Sequence, residues 1–424
     1  MRRSLSAVFV CVVLAGLVWA GSAQARIDRS YGDNGVASVL PSLPASWEDQ
    51  HVLQLAAGRD GGTYALLRGQ HCETSRYYCP WAYALVRYSG GGHLDLAFGG
   101  VGFYELPFKR QPVLAVDSAG RPVVAEDVEG TFTIVRLTPS GVPDLTFGGD
   151  GEVGIRCDCR NSNTRLIAGP RGTLTIAVPR AVYGAGRGNG RTGTTVGLVR
   201  LRGNGSFDKR FGAAGSVTVG LPNTAIFRAA ATAKGGALYL AGAGCCKASR
   251  RGYVVRISAK GRYDRRFARA SGRALRAVRR FGTSGQSVNA VLLRSRGRID
   301  LLGSAGLDRG FVLRLNGRGA RVRNFARKGL RGMPLPIDAA VRGSRGATVA
   351  LSDTNLRGIG ILVRMRFDGR MDRRFGRGPI PGSEGEGDNQ IVSLAGRRVL
   401  ALSLELRECR QYCPPEAQMI RYSE

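Results

Sequence analysis

A single short pattern, an aromatic residue followed by a small one and usually preceded three positions earlier by Asp, recurs seven times between Asp28 and Gly376. The aromatics are Tyr31, Phe98, Phe147, Phe211, Phe267, Phe325 and Phe375, spaced 67, 49, 64, 56, 58 and 50 residues apart. Repeats of this order build solenoids, propellers or arrays. The pattern therefore constrains the architecture more than any other feature of the chain.

Six of the copies follow a short strand-like run ending in Arg plus an apolar residue: Ala84 to Tyr88, Ile134 to Leu137, Leu198 to Leu201, Val254 to Ile257, Val312 to Leu315 and Leu362 to Met365. A seventh such run, Met419 to Tyr422, lies near the C-terminus. Between copies, two apolar runs flank a Gly-bearing turn, as in Val113 to Val124, which is the signature of a hairpin. The same pattern recurs near residues 53–67, 165–177, 228–242, 289–303, 338–352 and 391–405. Each repeat thus holds about four short strands, the content of one propeller blade. The expected fold is all-β, a seven-bladed β-propeller of four-stranded repeats spanning 26–424 as one domain, behind a signal peptide. An open solenoid would need more regular loop lengths.

The motif residues have scaffold roles. Asp hydrogen-bonds backbone amides a few residues on and fixes a tight turn. The aromatic is an apolar wedge between neighbouring blades, and Gly permits positive φ. Repetition of the Asp argues against catalysis by any one of them.

The stretches Gly92-His93-Leu94-Asp95-Leu96-Ala97-Phe98-Gly99-Gly100-Val101-Gly102 and Gly141-Val142-Pro143-Asp144-Leu145-Thr146-Phe147-Gly148-Gly149-Asp150-Gly151 resemble the delta-60 repeat of bacterial secreted and surface proteins. Its unit reads roughly G-x-LD-x-xFG-x-x-G. Later copies depart from it, with Ala268 and Ala326 in place of Gly and Val322 in place of Asp. The resemblance implies a propeller-like β-fold and brings no catalytic residues.

Residues 1–25 combine Arg2 and Arg3, an apolar run from Ala7 to Ala20 and the small-residue site Ala23-Gln24-Ala25, which reads as a secretory signal peptide. No later segment has the apolar length of a membrane span. A secreted or extracytoplasmic product, wall-associated or free and monomeric, is expected. Eight cysteines follow Ala25: Cys72, Cys79, Cys157, Cys159, Cys245, Cys246, Cys409 and Cys413. An even count in an exported chain favours disulfides, and the absence of a C-x-x-C knuckle disfavours zinc. Their connectivity is open.

In a four-stranded meander the first and third loops share a rim, and all eight cysteines fall in such loops. The long insertions Arg68 to Trp81, Arg180 to Thr195, Ala243 to Arg251 and Glu405 to Pro415 lie there too. Length variation on one face commonly marks a binding face, though unconstrained loops also drift. The candidate contact residues on this rim are Trp47, Arg76, Tyr77, Tyr78, Trp81, Tyr183, Arg187, Arg191, Lys247, Arg250 and Arg251.

The formal charge is +32, and residues 226–424 contribute 40 basic against 14 acidic residues. Six of the basic residues are Lys, so Arg dominates. Arg forks suit carboxylate and phosphate, which points to an anionic wall polymer, a polysaccharide or an envelope protein as partner. Export and the lack of a nucleic-acid motif make nucleic acid secondary. A genome-wide Arg bias, or a packing role for the repeated Arg, is the competing account.

No motif for a nucleophile elbow, a phosphate loop or an H-E-x-x-H zinc site is present, and no cofactor is expected. His93 belongs to a tight turn, while His51 and His71 are placed in rim loops. The acidic cluster Glu126, Asp127 and Glu129 and the Gly-spaced Glu384, Glu386 and Asp388 lack a calcium-loop pattern. A non-catalytic binding or scaffold module is the leading expectation. A propeller enzyme acting on carbohydrate, as a dehydrogenase, lyase or hydrolase, is the alternative.

Overall fold

The computed structural model of the chain describes residues 26–424 except 40–42, 45, 72–78, 129, 157–163, 184–190, 223–224, 245–250, 283–284, 355–358, 374, 376, 381–389, 395–397, 406–415 and 424. The predicted signal peptide lies outside the described residues. Strand β1 (Val36–Ser38) precedes a run of antiparallel sheets laid down in chain order. The first comprises β2 (Trp47–Ala57), β3 (Thr63–His71), β4 (Trp81–Tyr88) and β5 (Phe103–Leu106). The second comprises β6 (Val113–Val116), β7 (Pro122–Val128), β8 (Thr131–Arg136) and β9 (Glu152–Arg156). In the third are β10 (Arg165–Ala168), β11 (Leu174–Tyr183), β12 (Arg191–Leu201) and β13 (Ser216–Gly220).

The next region departs from this plan. Strands β14 (Ala225–Thr232), β15 (Leu238–Gly244) and β16 (Gly252–Ile257) are followed not by a fourth strand but by helix α1 (Arg265–Arg276). Then come β17 (Gln286–Leu293), β18 (Ile299–Ala305), β19 (Gly310–Leu315) and β20 (Leu330–Met333). One residue pair, Ala243 with Ser287, joins β15 to β17 and makes these seven strands one sheet.

Two four-stranded sheets complete the chain: β21 (Ala339–Arg342) to β24 (Arg377–Pro379), through β22 (Thr348–Thr354) and β23 (Ile359–Met365), and a last one built from both ends. In that sheet β25 (Gln390–Leu394), β26 (Arg398–Glu405) and β27 (Glu416–Ser423) are joined on the outside by β1. The described chain therefore has five four-stranded sheets and one of seven strands, where the sequence pattern predicts seven of four.

The departure has a local cause. The residues after Ala268 are rich in Arg, Ala and Leu and show no strand alternation, whereas the other copy with Ala in place of Gly, at Ala326, leads into strand β20. Asp264, which turns the chain elsewhere, caps the helix by accepting from the Phe267 amide.

Sheets stack face to face, so their middle strands are buried on both sides and read as continuous apolar runs. Alternation then sends neighbouring residues to different cores. Tyr64, Leu66 and Leu85 pack with Leu114, Val124 and Val135 of the second sheet, whereas Ala65, Leu67, Ala84 and Val86 pack with Leu400, Leu402 and Met419 of the last. The first strands β2, β6, β10, β14, β17, β21 and β25 touch in that order, and β25 returns to β2. This closed, radial arrangement of sheets is a β-propeller, with first strands innermost and β1 on the outer edge.

Candidate functional site

The repeated arginines are structural. Each third strand of the pattern carries one, and most lie over the motif aromatic of their own repeat: Arg136 over Phe147 at 4.5 Å, Arg200 over Phe211 at 4.0 Å, Arg256 over Phe267 at 5.2 Å, Arg314 over Phe325 at 4.0 Å and Arg421 over Tyr31 at 4.6 Å. The motif Asp faces the same guanidinium, as in Arg136 to Asp144 at 2.9 Å, Arg256 to Asp264 at 3.0 Å and Arg364 to Asp372 at 3.2 Å. A second arm reaches the next repeat, where Arg256 donates to the Gly317 carbonyl at 2.5 Å, Arg314 to Phe367 at 2.6 Å and Arg421 to Gly90 at 2.5 Å. One side chain thus neutralises a turn, caps an aromatic and staples two repeats.

The carboxylates respond accordingly. Burial alone would raise the Asp144 carboxyl, but hydrogen bonds from Thr146 and the charges of Arg136 and Arg121 hold it below its ordinary value. Burial pushes Arg200 down, with Asp208 opposing. The sequence-level reading of these Asp as turn formers agrees with the geometry: the amides of Ala97, Thr146 and Arg210 donate to Asp95, Asp144 and Asp208.

A different set of residues occupies the rim formed by loops after each second and fourth strand. Trp81 begins β4 and is 38% exposed. Arg68 of β3 lies 4.0 Å over its ring, and His51 of β2, 6.3 Å away, has its Nε2 3.0 Å from Asp49. A strip across three strands thereby presents an indole backed by a cation. Trp47, also a candidate contact, is 4% exposed and belongs to the core between the first and last sheets. His51 and His71 lie within strands β2 and β3, not in loops, because the hairpin runs longer than its apolar pattern.

Arg251 is exposed just before β16. Tyr183 and Arg191 face each other in register across β11 and β12. Arg76, Tyr77, Tyr78, Arg187, Lys247 and Arg250 lie outside the described residues, as do all the candidate disulfide cysteines but Cys79.

Two residues that sequence reasoning did not single out sit at the inner ring. At three other junctions its strands are stitched by neutral amides: Gln54 exchanges bonds with the Leu114 backbone at 2.8 and 3.0 Å, Gln390 with Leu53 and Leu55 at 3.1 and 2.8 Å, and Asn289 donates to Ile337 at 2.8 Å. Between β10 and β14 the facing groups are two arginines. Arg165 opens β10, and Arg228 is the extra residue of a bulge in β14 between Phe227 and Ala229. Both side chains keep exposed surface. Burial by the surrounding walls, and then the charge of Arg228, depress the Arg165 pKa. A bulge has no reliable sequence signal, which is why this pair was not legible.

No cluster of metal-ligating side chains occurs among the described residues. Glu126 is a closing group: its carboxylate accepts from the amides of Lys109 at 3.0 Å and Arg110 at 2.9 Å, and burial raises its pKa. No helix among the described residues is long and apolar enough to cross a membrane.

No family model matches the chain, and no curated protein matches it. Among solved structures it is similar to prolyl oligopeptidase B from Galerina marginata, at 10% identity over 85% of this chain and 48% of that one, with a TM-score of 0.45. The chain spans about half the length of that protein. It is similar to the polysaccharide lyase Uly1 at 9% identity over 94% of each chain, with a TM-score of 0.46. The β-propeller domain of the Trilobed protease from Pyrococcus furiosus shares 10% identity over 83% of this chain and 91% of that one, with a TM-score of 0.41. At such identities and scores the likeness concerns the fold and says nothing of activity.

Proposed function

We propose that this chain is an exported, non-catalytic binding module whose insertion-bearing rim engages an anionic or carbohydrate ligand of the cell envelope. The observation that carries the reading is the Arg165 and Arg228 pair. These like charges act on each other across neighbouring inner strands, where three other junctions use neutral amides, and no described carboxylate offsets them. A concave site of one sign concentrates counter-charged ligands. Trp81, exposed and backed by Arg68, supplies on the same rim an aromatic face suited to a sugar ring.

The same reading takes the ring as seven delta-60 units. Support comes from seven Arg-bearing strands, the single-pair junction between β15 and β17, and the seven first strands that touch in a circle. Export is supported by the leader-like first 25 residues and by the even count of eight cysteines after Ala25.

The test is retention of the mature chain on immobilised polygalacturonate, eluted with NaCl. The Arg165→Gln/Arg228→Gln variant is expected to elute at clearly lower salt than the parent. Identical elution of the two proteins would remove the pair from the ligand site, and no retention of the parent would remove the anionic ligand.

A further inference from the structure

Helix α1 takes the place of a fourth strand, packing on β16 through Phe267, Ser271, Ala274 and Leu275. Its other face is basic. Between 265 and 281 the chain carries Arg265, Arg266, Arg269, Arg273, Arg276, Arg279 and Arg280, and no acidic residue occurs between Asp264 and Asp300. All seven are exposed, and none has an ion pair among the described residues. Arg280 lies over the Phe281 ring at 4.8 Å; the other six contrast with the strand arginines, which are spent on carboxylates, aromatics and carbonyls.

Like charges at i,i+3 and i,i+4 disfavour a helix. The run 269, 273, 276 and 279 combines both spacings, so folding holds cations together against their repulsion. Those four, with Arg251 and Tyr253, line a groove of about 400 Å³ between the helix and the start of β16. No carboxylate lines it among the described residues. Nothing stands within 4 Å of a Cβ placed on Gly272, which leaves its wall open. Arg251 and Gln286 place its mouth on the insertion-bearing rim.

We propose that this groove binds a linear polyanionic glycan carrying one carboxylate per sugar. At about 1.5 Å rise per residue, guanidinium stems three and four positions apart stand about 4.5 and 6 Å apart along the helix, a step comparable to that between successive rings of such a polymer. Guanidinium forks match carboxylates bidentately. The groove has the volume of a small-molecule site, which suits a single strand and not a duplex. Tyr253 and Gln286 give its floor the mixed apolar and amide surface that a hydroxylated ring needs. This inference rests on the proposed anionic ligand and adds a contact at α1 to the one at the inner ring.

The experiment measures Kd of the full mature chain for oligogalacturonate. In the variant Arg269→Gln/Arg273→Gln/Arg276→Gln, helix propensity is kept, and binding is expected to weaken on the order of tenfold, with a shallower salt dependence. A charge-matched control, Arg296→Gln/Arg318→Gln/Arg345→Gln on the opposite rim, is expected to stay within about twofold. Unchanged binding in the α1 variant, or equal loss in the control, overturns the groove while leaving the rim reading intact. Absence of binding by the parent overturns both. Competition by polyphosphate or DNA at equal charge, as effective as by the glycan, overturns the assigned ligand class.

Discussion

Arg314 grips both carboxylate oxygens of Asp300, at 2.6 Å from Nε and 2.8 Å from Nη2, although Asp300 is not a motif residue. Other repeats place the partner Asp eight residues after the Arg, and here that position is Val322. The carboxylate has moved to strand β18, where it is fully buried and also pairs with Arg294 at 2.8 Å.

The displaced carboxylate should therefore be irreplaceable in its own context. Asp300→Asn leaves two buried guanidinium groups without their counter-charge and is expected to cost about 3–5 kcal/mol in urea unfolding. Adding Val322→Asp to that variant restores a carboxylate at the usual position and is expected to recover part of the loss for Arg314. No recovery would show that the two carboxylate positions are not equivalent.

The glycine that opens each motif approaches the preceding repeat closely. Gly141 has φ of +84°, and a Cβ there would stand 2.5 Å from the Gly99 nitrogen and 2.8 Å from the Phe98 ring. Gly141→Ala is expected to cost about 1–3 kcal/mol from overpacking, added to about 1–2 kcal/mol of left-handed strain. Gly100→Ala meets the strain alone, since φ is +80° and nothing lies within 4 Å. Chemical denaturation of both variants checks the order, and equal losses would remove the packing component.

Acid should loosen the ring. The carboxyls of Asp28, Asp144 and Asp264 all lie below their ordinary range, held by hydrogen bonds and neighbouring Arg. A lowered folded pKa gives stability that is complete above the unfolded value of about 3.9 and fades as pH falls through the folded one. Glu126, raised by burial, works in the opposite sense and partly offsets this. Thermal melts are expected to fall steeply below about pH 4, and Asp144→Asn to flatten that slope. A slope unchanged in the variant would exclude Asp144 from the effect.

Much of the fold was legible because a repeat forces the same local solution many times. The apolar runs ending in Arg87, Arg136 and Arg200 became third strands, the hairpins appeared where Gly-bearing turns predicted them, and Phe98 and Phe147 became the buried wedges expected of them. The site was less legible. Trp47 read as a rim aromatic, but its burial depends on Leu43 and on the last sheet, which the sequence does not place beside it.

The repeat, its strand content and the roles of Gly, Asp and the aromatic are local properties, since each acts within a few residues of itself. The assembled fold is what makes β1 close the last sheet against β27, Arg421 reach Gly90 across the junction, Asp300 stand in for the Asp missing at Val322, and Arg165 come beside Arg228. The β1–β27 pairing and the Arg421 bond to Gly90 join residues at opposite ends of the chain because ring closure brings those strands together, Arg165 and Arg228 come together by packing of neighbouring repeats, and Asp300 reaches Arg314 as its partner across the β18–β19 hairpin.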